Sequence, residues 1–271
     1  MSTVSVIIPT WNRAGTLKRA ILSVLNQTYP VTEILVCDDG STDNSKQTVL
    51  EINDTRIKWI EGTHAGMPSI PRNRGIASSV GEWLGFLDSD DEWLPTKIGK
   101  QISAAEKLKT DAVCSNAFRI IPGNESGKPY LNYQGQSLSF KELIKCNYII
   151  CSSVMFKRSL LNTVVGFPES IEFKAIEDYT LWLRVATQTS FAYLEEPLVN
   201  YFDDPKQSIR SGGMTEAQQR KIILNNLLVW TGKNELKVDN NYFKLARIEY
   251  YKSVKLTSQN IFTYLIERFK N

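Results

Sequence analysis

The sequence predicts an α/β domain with a mainly parallel central sheet, flanked by helices and followed by a helical C-terminal extension. Three observations support this fold class. Strand-like and helix-like apolar patterns alternate regularly over the first 110 residues, which is typical of a parallel sheet with helical crossovers. Three of the strand-like runs end in polar clusters. From residue 213 onward the apolar spacing is helical throughout.

The predicted elements of the first half follow from apolar spacing and from the Pro and Gly residues that interrupt it. We predict strands at residues 4–8, 33–37, 56–60 and 82–87. We predict helices at residues 16–27, 45–52, 71–80 and 95–108.

The second half is less regular. It predicts strands at residues 154–157 and 198–202 and a helix at 177–188. Residues 121–138 are polar and rich in Gly and Asn, so we expect a long surface loop there. The helices after residue 213 are expected to divide near 231–232 and again near 239–240.

Composition excludes several classes of protein. The apolar fraction is 42%, which is ordinary for a folded domain, and no apolar run is long enough for a transmembrane helix. The N-terminus lacks the basic region of a signal peptide, so we expect a cytoplasmic protein. Four scattered Cys and one His make a zinc site or a disulfide scaffold improbable.

The charge is distributed unevenly along the chain. Basic residues outnumber acidic ones after residue 211, whereas the body of the chain carries a dense acidic cluster. The basic and aromatic tail suits either an anionic membrane surface or a packing or oligomerisation helix. We expect no nucleic-acid partner.

Polar residues follow three predicted strands at the point where each one ends. The clusters are Pro9-Thr10-Trp11-Asn12, Asp38-Asp39 and Asp88-Ser89-Asp90-Asp91. Because ligands bind at the carboxyl ends of parallel strands, these loops are expected to converge on one crevice.

The acidic cluster favours a divalent cation bound together with a diphosphate. An EF-hand requires Gly and Glu at positions that Trp93 and Gly99 occupy here, and no P-loop or dinucleotide fingerprint is present. A pair of glycosidase-type carboxylates remains possible but leaves Asp38-Asp39 unexplained. The other reading is that the acids only cap the helix that begins near Pro95.

Five segments, taken in order, resemble the motifs of glycosyltransferase family two. The segments are VSVIIPTWNR, EILVCDDGSTD, PRNRGIA, FLDSDDEW and IEDYTLWLR, and the resemblance covers about residues 3–210. It implies a GT-A fold in a domain spanning residues 1–210, with a nucleotide-binding half at 1–110 and an acceptor-binding half at 111–210. Residues 211–271 would form the basic helical extension.

The resemblance also implies an activity. It is the inverting transfer of a sugar, a hexose or N-acetylhexosamine, from a nucleotide-diphosphate sugar to a glycan acceptor. Relatives suggest a lipid-linked acceptor, synthesis of O-antigen, capsule or exopolysaccharide, and peripheral contact with the inner face of the cell membrane. Two alternatives stay open: a catalytically inactive sugar-nucleotide or glycan-binding module, and a nucleotidyltransferase, although PTWNRAGT is a poor match for the phosphate loop of the latter.

The family motifs assign a role to individual residues. Asp39 would accept a hydrogen bond from uracil, which favours a UDP-sugar, and Asp178 would be the catalytic base. Asp90 is assigned to Mn²⁺ or Mg²⁺, with Asp91 or Asp88 as the alternative ligand. His64 stands where relatives often carry Asn or Gln, and we expect it to be a loop or hydrogen-bonding residue rather than a catalyst. The remaining donor-binding residues are expected to be Pro9, Thr10, Trp11, Arg72, Asp88, Ser89 and, on a closing loop, Arg210.

Each assignment has a structural alternative. Trp11 could be a core aromatic, Asp39 a turn residue and Arg72 a solvated helix charge. Asp178 lies where acidic residues stabilise the N-terminus of a helix, a location that also tends to lower a carboxylate pKa.

Overall fold

A computed structural model describes residues 1–122, 124–204, 214–234 and 238–268, with the backbone alone for 124–126 and 255–268. The strands, numbered β1 to β10 in chain order, are Val4–Thr10, Glu33–Asp38, Ile57–Ile60, Trp83–Phe86, Glu92–Trp93, Ala112–Ile121, Asn124–Pro129, Ser137–Leu138, Met155–Lys157 and Phe191–Phe202. The helices, α1 to α9, are Ala14–Leu25, Ser45–Leu50, Ser69–Ser78, Lys97–Leu108, Phe140–Leu143, Leu161–Val164, Glu177–Ala186, Glu216–Lys233 and Asn240–Arg268. Single 3₁₀ turns lie at Cys151–Ser153, Arg158–Leu160 and Ile171–Phe173.

The first half of the sheet confirms the predicted parallel α/β arrangement. The strand order there is β3-β2-β1-β4, and every neighbouring pair is parallel. From β1 the chain adds β2 and β3 on one side of the sheet and then returns to add β4 on the other side of β1. The strand order therefore reverses between β1 and β4, which creates a topological switch point. Ligands bind at such points, where the loops on either side diverge.

The second half makes the sheet mixed. β9 lies between β4 and β6 and is antiparallel to both. β10 then runs parallel to β6, and β5 and β8 pair with it in antiparallel fashion at different positions along its length. The carboxyl ends of β6 and β10 therefore lie at the same edge of the sheet as those of the first half.

The prediction of one long loop at 121–138 is wrong in part. Residues 124–129 form β7, which turns back on β6, and residues 137–138 form β8. Edge strands of this kind are held by backbone pairing, so polar and Gly-rich sequence can form them without an apolar face. The predictions also missed β5 and β6, and they placed the start of β10 seven residues too late.

Helices cover both faces of the sheet, and each face has its own apolar core. One core joins Val6, Ile8 and their neighbours to α1 and α4. The other joins alternate strand residues, such as Ile7 and Phe86, to α3, α7 and α8. In β1 the side chains of Val6, Ile7 and Ile8 thus alternate between the two cores, as the strand geometry requires. α8 packs on the core of the body, and the predicted domain boundary at residue 210 stays a prediction.

None of the helices in the described ranges combines the length and apolar character needed to cross a membrane.

Helix α3 lies unusually close to the sheet because it carries a glycine at the contact. A Cβ built on Gly75 would lie 2.6 Å from Ile7 Cγ2 and 2.7 Å from Cys37 Sγ. These distances are shorter than real contacts allow. The close approach brings the N-terminal turns of α3, including Arg72, to the end of the sheet.

We expect Gly75→Ala to lower the free energy of unfolding by about 1–3 kcal/mol, because the added methyl group overpacks β1 and β2. Gly99 in α4 is the matched control. Its Cβ would meet only Tyr29 Cβ at 3.7 Å, so Gly99→Ala should be neutral or stabilise by up to about 1 kcal/mol. Urea denaturation of the two variants measures both effects. Equal changes in the two variants would contradict the proposed close packing of α3.

Candidate active site at the carboxyl edge of the sheet

One cavity of about 520 Å³ lies where the loops after β1, β2 and β4 meet the N-terminus of α7 and the end of β10. The predicted site residues that line it are Pro9, Thr10, Trp11, Asp39, Arg72, Asp88, Ser89, Asp90 and Asp178. Asp91 is not part of the lining, and Arg210 lies outside the described residues. The convergence predicted from three strand ends is therefore present, and α7 adds a fourth element to it.

The end of the cavity nearest β1 combines a buried carboxylate with an aromatic plane. The backbone N–H groups of Ala65 and Gly66 donate to the Asp39 carboxylate at 3.0 and 2.9 Å. His64 Nδ1 lies 3.1 Å from the same carboxylate, and the imidazole stacks on Trp11 with ring centroids 4.5 Å apart. Trp11 is 49% exposed and is therefore not a core aromatic. The structure thus places His64, which was expected only to be a loop or hydrogen-bonding residue, in the site.

Thr10 adds an unused polar group to this end. Its hydroxyl is buried and has no hydrogen-bond partner, although the residue lines the cavity. A buried polar atom without a partner costs free energy unless a ligand satisfies it. The aromatic plane, the carboxylate and the hydroxyl together suit a planar heterocycle that carries both donors and acceptors.

Arg72 bridges two carboxylates from distant parts of the chain. Its Nη2 donates to Asp88 Oδ1 at 2.6 Å and its Nη1 donates to Glu177 Oε1 at 2.7 Å. The Arg72 side chain is only 4% exposed, so it is not a solvated helix charge. Glu177 was missed as a site residue, since the sequence shows it only as the neighbour of Asp178. Its Oε2 atom is buried without a partner.

Asp91 anchors the acidic loop from inside the protein. It is 1% exposed, and its carboxylate accepts hydrogen bonds from the Ser152 hydroxyl and, at 2.9 Å, from the backbone N–H of Phe202. The Ser152 hydroxyl oxygen in turn accepts from the backbone N–H of Asp88 at 3.1 Å. Burial, with added repulsion from Asp90 and Asp88, raises the pKa of Asp91 well above its usual value. This carboxylate holds together the acidic loop, the 151–153 turn and the end of β10.

Asp90 faces the cavity and lies between two arginines of the α1 region. Its carboxylate is 3.6 Å from Arg13 Nη2, and Arg19 donates to its backbone oxygen at 2.6 Å. Desolvation at the cavity wall and the nearby Asp88 carboxylate raise the pKa of Asp90 above its usual value. Neither arginine was predicted, because nothing in the sequence distinguishes them from ordinary charges of an amphipathic helix.

The acidic loop meets the limited demands of a Mg²⁺ or Mn²⁺ ion. No cluster of three or more His, Cys, Asp or Glu that could hold a metal was found among the described residues. However, these ions often take only one or two carboxylates and complete their coordination with substrate phosphates and water. Asp90 and Asp88 suit that role, since they repel one another and face the cavity. Asp91 is 1% exposed and does not line the cavity, which disfavours it as a ligand.

Asp178 lies in the first turn of α7, directly after Glu177, and is half-buried at the cavity wall. The helix N-terminus favours a negative charge there, so the structural and catalytic readings of this carboxylate are compatible. Ala175, also in the lining, has a φ of 69°. A non-glycine residue in the left-handed region is strained, and such residues concentrate at functional sites.

The chain belongs to glycosyl transferase family 2, because residues 5–165 match the sequence profile of that family. It is 37% identical over 182 residues to the Escherichia coli UDP-Glc:alpha-D-GlcNAc-diphosphoundecaprenol beta-1,3-glucosyltransferase WfgD, a match that covers 67% of this chain and 69% of WfgD. It is 30% identical to the GalNAc(5)-diNAcBac-PP-undecaprenol beta-1,3-glucosyltransferase of Campylobacter jejuni, covering 91% of this chain and 82% of that protein. The protein is therefore a glycosyltransferase, and the nucleotidyltransferase alternative is not supported.

Solved structures confirm the predicted GT-A fold. S. aureus TarS 1-349 in complex with UDP-GlcNAc superposes with a TM-score of 0.75 at 19% identity, covering 93% of this chain and 72% of that one. The mannosyltransferase PcManGT of Pyrobaculum calidifontis, solved with GDP-Man and Mn²⁺, gives a TM-score of 0.58 at 18% identity, covering 92% and 69%.

We expect Asp91→Ala to lower the free energy of unfolding by at least about 2 kcal/mol, because it leaves the buried Ser152 hydroxyl and the partly buried Phe202 backbone N–H without an acceptor. Asp90→Ala is the matched control. It removes a carboxylate that faces the cavity and lies 3.6 Å from Arg13 Nη2, so stability should change by less than about 1 kcal/mol. Urea denaturation at pH 7 without metal measures both. A smaller loss for Asp91→Ala than for Asp90→Ala would exclude the anchoring role.

Proposed function

We propose that the protein transfers a sugar from a UDP-sugar, with inversion at the anomeric carbon, to a hydroxyl group of a lipid-linked saccharide during the synthesis of a surface polysaccharide. The observation that carries this proposal is the convergence of Asp39, Asp88, Asp90 and Asp178 on one cavity. Its volume of about 520 Å³ lies within the ordinary range for ligand sites of about 300–1,000 Å³.

The end of the cavity near β1 would bind the base of the donor. Asp39 would accept a hydrogen bond from the ring N–H of uracil, Trp11 would stack near the base, and Thr10 and Pro9 would complete the pocket. The TarS complexes with UDP and UDP-GlcNAc, and the UDP-Glc donor named for WfgD, support a uridine nucleotide. Asp88 and Ser89 would contact the ribose side, with Arg72 holding Asp88 in place.

A divalent cation, Mn²⁺ or Mg²⁺, would be held mainly by Asp90, with Asp88 beside it. When bound, such an ion neutralises charge on the departing diphosphate. The PcManGT complex with Mn²⁺ supports a cation in this fold. Arg13 and Arg19 also line the cavity beside Asp90 and would add positive charge near the diphosphate. Arg210 would contact the diphosphate from the segment that follows β10.

Asp178 would act as the catalytic base. As the acceptor oxygen forms its bond to the anomeric carbon, the bond from that carbon to the diphosphate oxygen breaks, and the hydroxyl proton passes to the Asp178 carboxylate. A single displacement of this kind inverts the anomeric configuration. Arg72 and Glu177 would hold the first turn of α7, and with it Asp178, beside the donor.

The names of the relatives support a lipid-linked acceptor. WfgD, WfaP and the Campylobacter jejuni enzyme are all named for acceptors on an undecaprenol diphosphate. An acceptor of this type lies at a membrane surface, so we place the protein in the cytoplasm, against the inner face of the cell membrane. The basic C-terminal extension would provide the peripheral contact.

We expect Asp178→Asn to abolish sugar transfer, by at least about 10²-fold, because the variant cannot take up the hydroxyl proton. UDP affinity should be retained, since Asp178 lies in the first turn of α7 rather than at the proposed base end. Glu172→Gln is the matched control, because it neutralises an exposed carboxylate in the 3₁₀ turn that precedes α7. This variant should be fully active. The measurement is a transfer and hydrolysis screen across UDP-, GDP- and dTDP-sugars with and without Mn²⁺ or Mg²⁺, combined with UDP binding.

Wild-type turnover in Asp178→Asn would remove this residue from the mechanism. A preference for GDP- or dTDP-sugars would exclude the uracil assignment. A transfer rate that stays the same when a chelator removes divalent cations would exclude the metal assignment.

A further inference from the structure

A second aromatic group lies at the end of the cavity formed by β10. Tyr201 lines the cavity, and its ring stacks on that of Tyr130 with centroids 5.8 Å apart and planes inclined by 19°. Tyr130 is 37% exposed. Three strands lie between β10 and β1 in the sheet, so this pair belongs to a different strand end from Trp11.

The topology fixes the tyrosine pair in place. Tyr130 follows β7, and its backbone N–H donates to Ala117 O in β6 at 2.8 Å. Tyr201 lies beside Arg119 in the register of β10 and β6. The two rings therefore come from strands on opposite sides of β6, and they meet above its end because the hairpin turns back there.

A charged pair borders the rings. The Arg119 guanidinium lies 5.1 Å from the centroid of the Tyr130 ring. Its Nε donates to Asp203 Oδ2 at 2.8 Å, and Nη2 donates to the same oxygen. Asp203 also lines the cavity, as does Pro122 from the hairpin. The site thus combines a flat apolar surface with a guanidinium and a carboxylate at its edge.

This combination matches the chemistry of a pyranose. A sugar ring presents C–H groups on its faces, which suit an aromatic plane, and hydroxyl groups around its edge, which suit charged donors and acceptors. Neither the rings nor the charged pair takes part in the transfer chemistry described above.

The tyrosine pair is also connected directly to the reacting end of the cavity. Phe202, the next residue, donates its backbone N–H to Asp91 at 2.9 Å. The Arg19 guanidinium lies 3.8 Å from the centroid of the Phe202 ring while it donates to Asp90 O. The end of β10 is therefore fixed against the acidic loop, so a saccharide on the tyrosines would lie beside the leaving diphosphate.

We propose that Tyr130 and Tyr201, with Arg119 and Asp203, form the subsite that binds a pyranose ring of the acceptor. This inference rests on the proposed function, because it assigns the second substrate of the same transfer reaction. It identifies the ligand as a saccharide and leaves the lipid to other parts of the molecule.

The test compares Tyr130→Ala with Tyr130→Phe, which keeps the ring and loses only the hydroxyl. Tyr251→Ala, which removes a 60% exposed tyrosine from α9, is the control for nonspecific effects. Saturation-transfer NMR measures binding of methyl glycosides of N-acetylglucosamine, N-acetylgalactosamine and glucose, with UDP and the diamagnetic ion Mg²⁺ present. Calorimetry measures UDP affinity, and thermal unfolding confirms that each variant is folded.

We expect wild type, Tyr130→Phe and Tyr251→Ala to bind at least one of the glycosides, and Tyr130→Ala to bind it about tenfold more weakly or worse. UDP affinity should stay within about twofold in all of them. Wild-type protein that binds none of the glycosides, or Tyr130→Ala that binds them as tightly as Tyr130→Phe, would overturn the proposal and leave the pair with a purely structural role. If the protein binds a glycoside but binds neither UDP nor any other nucleotide, the proposed function is contradicted, whereas the assignment of the saccharide subsite still stands.

Discussion

The buried contact of Arg72 with Asp88 and Glu177 is the interaction on which the rest of the site depends. It joins α3, the loop after β4 and the N-terminus of α7, three elements that share no strand pairing. A guanidinium suits this position because it stays charged when buried and can donate to two carboxylates at fixed angles. Removal of Arg72 would leave the buried Glu177 carboxylate without its charge partner and Asp88 without its guanidinium, which is costly. The proposed donor side and the proposed base are thus held by one side chain.

The acidic loop solves its electrostatic problem by giving each carboxylate a different partner. Asp88 is paired with Arg72, Asp91 accepts hydrogen bonds inside the protein, and Asp90 faces the cavity beside Arg13. Only Asp90 and part of Asp88 therefore remain for a cation. This division explains how three acids within four residues are accommodated despite their mutual repulsion, and it leaves Asp90 facing the place where a cation and a diphosphate would bind together.

The sequence predicts the first half of the fold and most of the cavity, because both depend on local patterns. Strand-ending clusters at Thr10, Asp39 and Asp88 lie at one edge wherever parallel strands pair, so their convergence follows from topology. Contacts between residues that are far apart in the sequence cannot be predicted from local patterns. Glu177 contacts Arg72 across 105 residues, and Phe202 contacts Asp91 across 111. The strands β6 and β7 were missed for other reasons. The buried polar residues Ser115 and Asn116 interrupt the apolar pattern of β6, and β7 is a polar strand held by backbone pairing with β6.

A double-mutant cycle between Arg72→Met and Glu177→Gln tests the central claim most directly, with the free energy of unfolding as the measured quantity. We expect Arg72→Met alone to cost about 3–5 kcal/mol, because it leaves the buried Glu177 carboxylate and the partly buried Asp88 carboxylate without this partner. The double variant should be more stable than the sum of the single changes predicts, by at least about 1 kcal/mol, since its remaining amide carries no charge. Additivity within about 0.5 kcal/mol would contradict the claim that this ion pair organises the site.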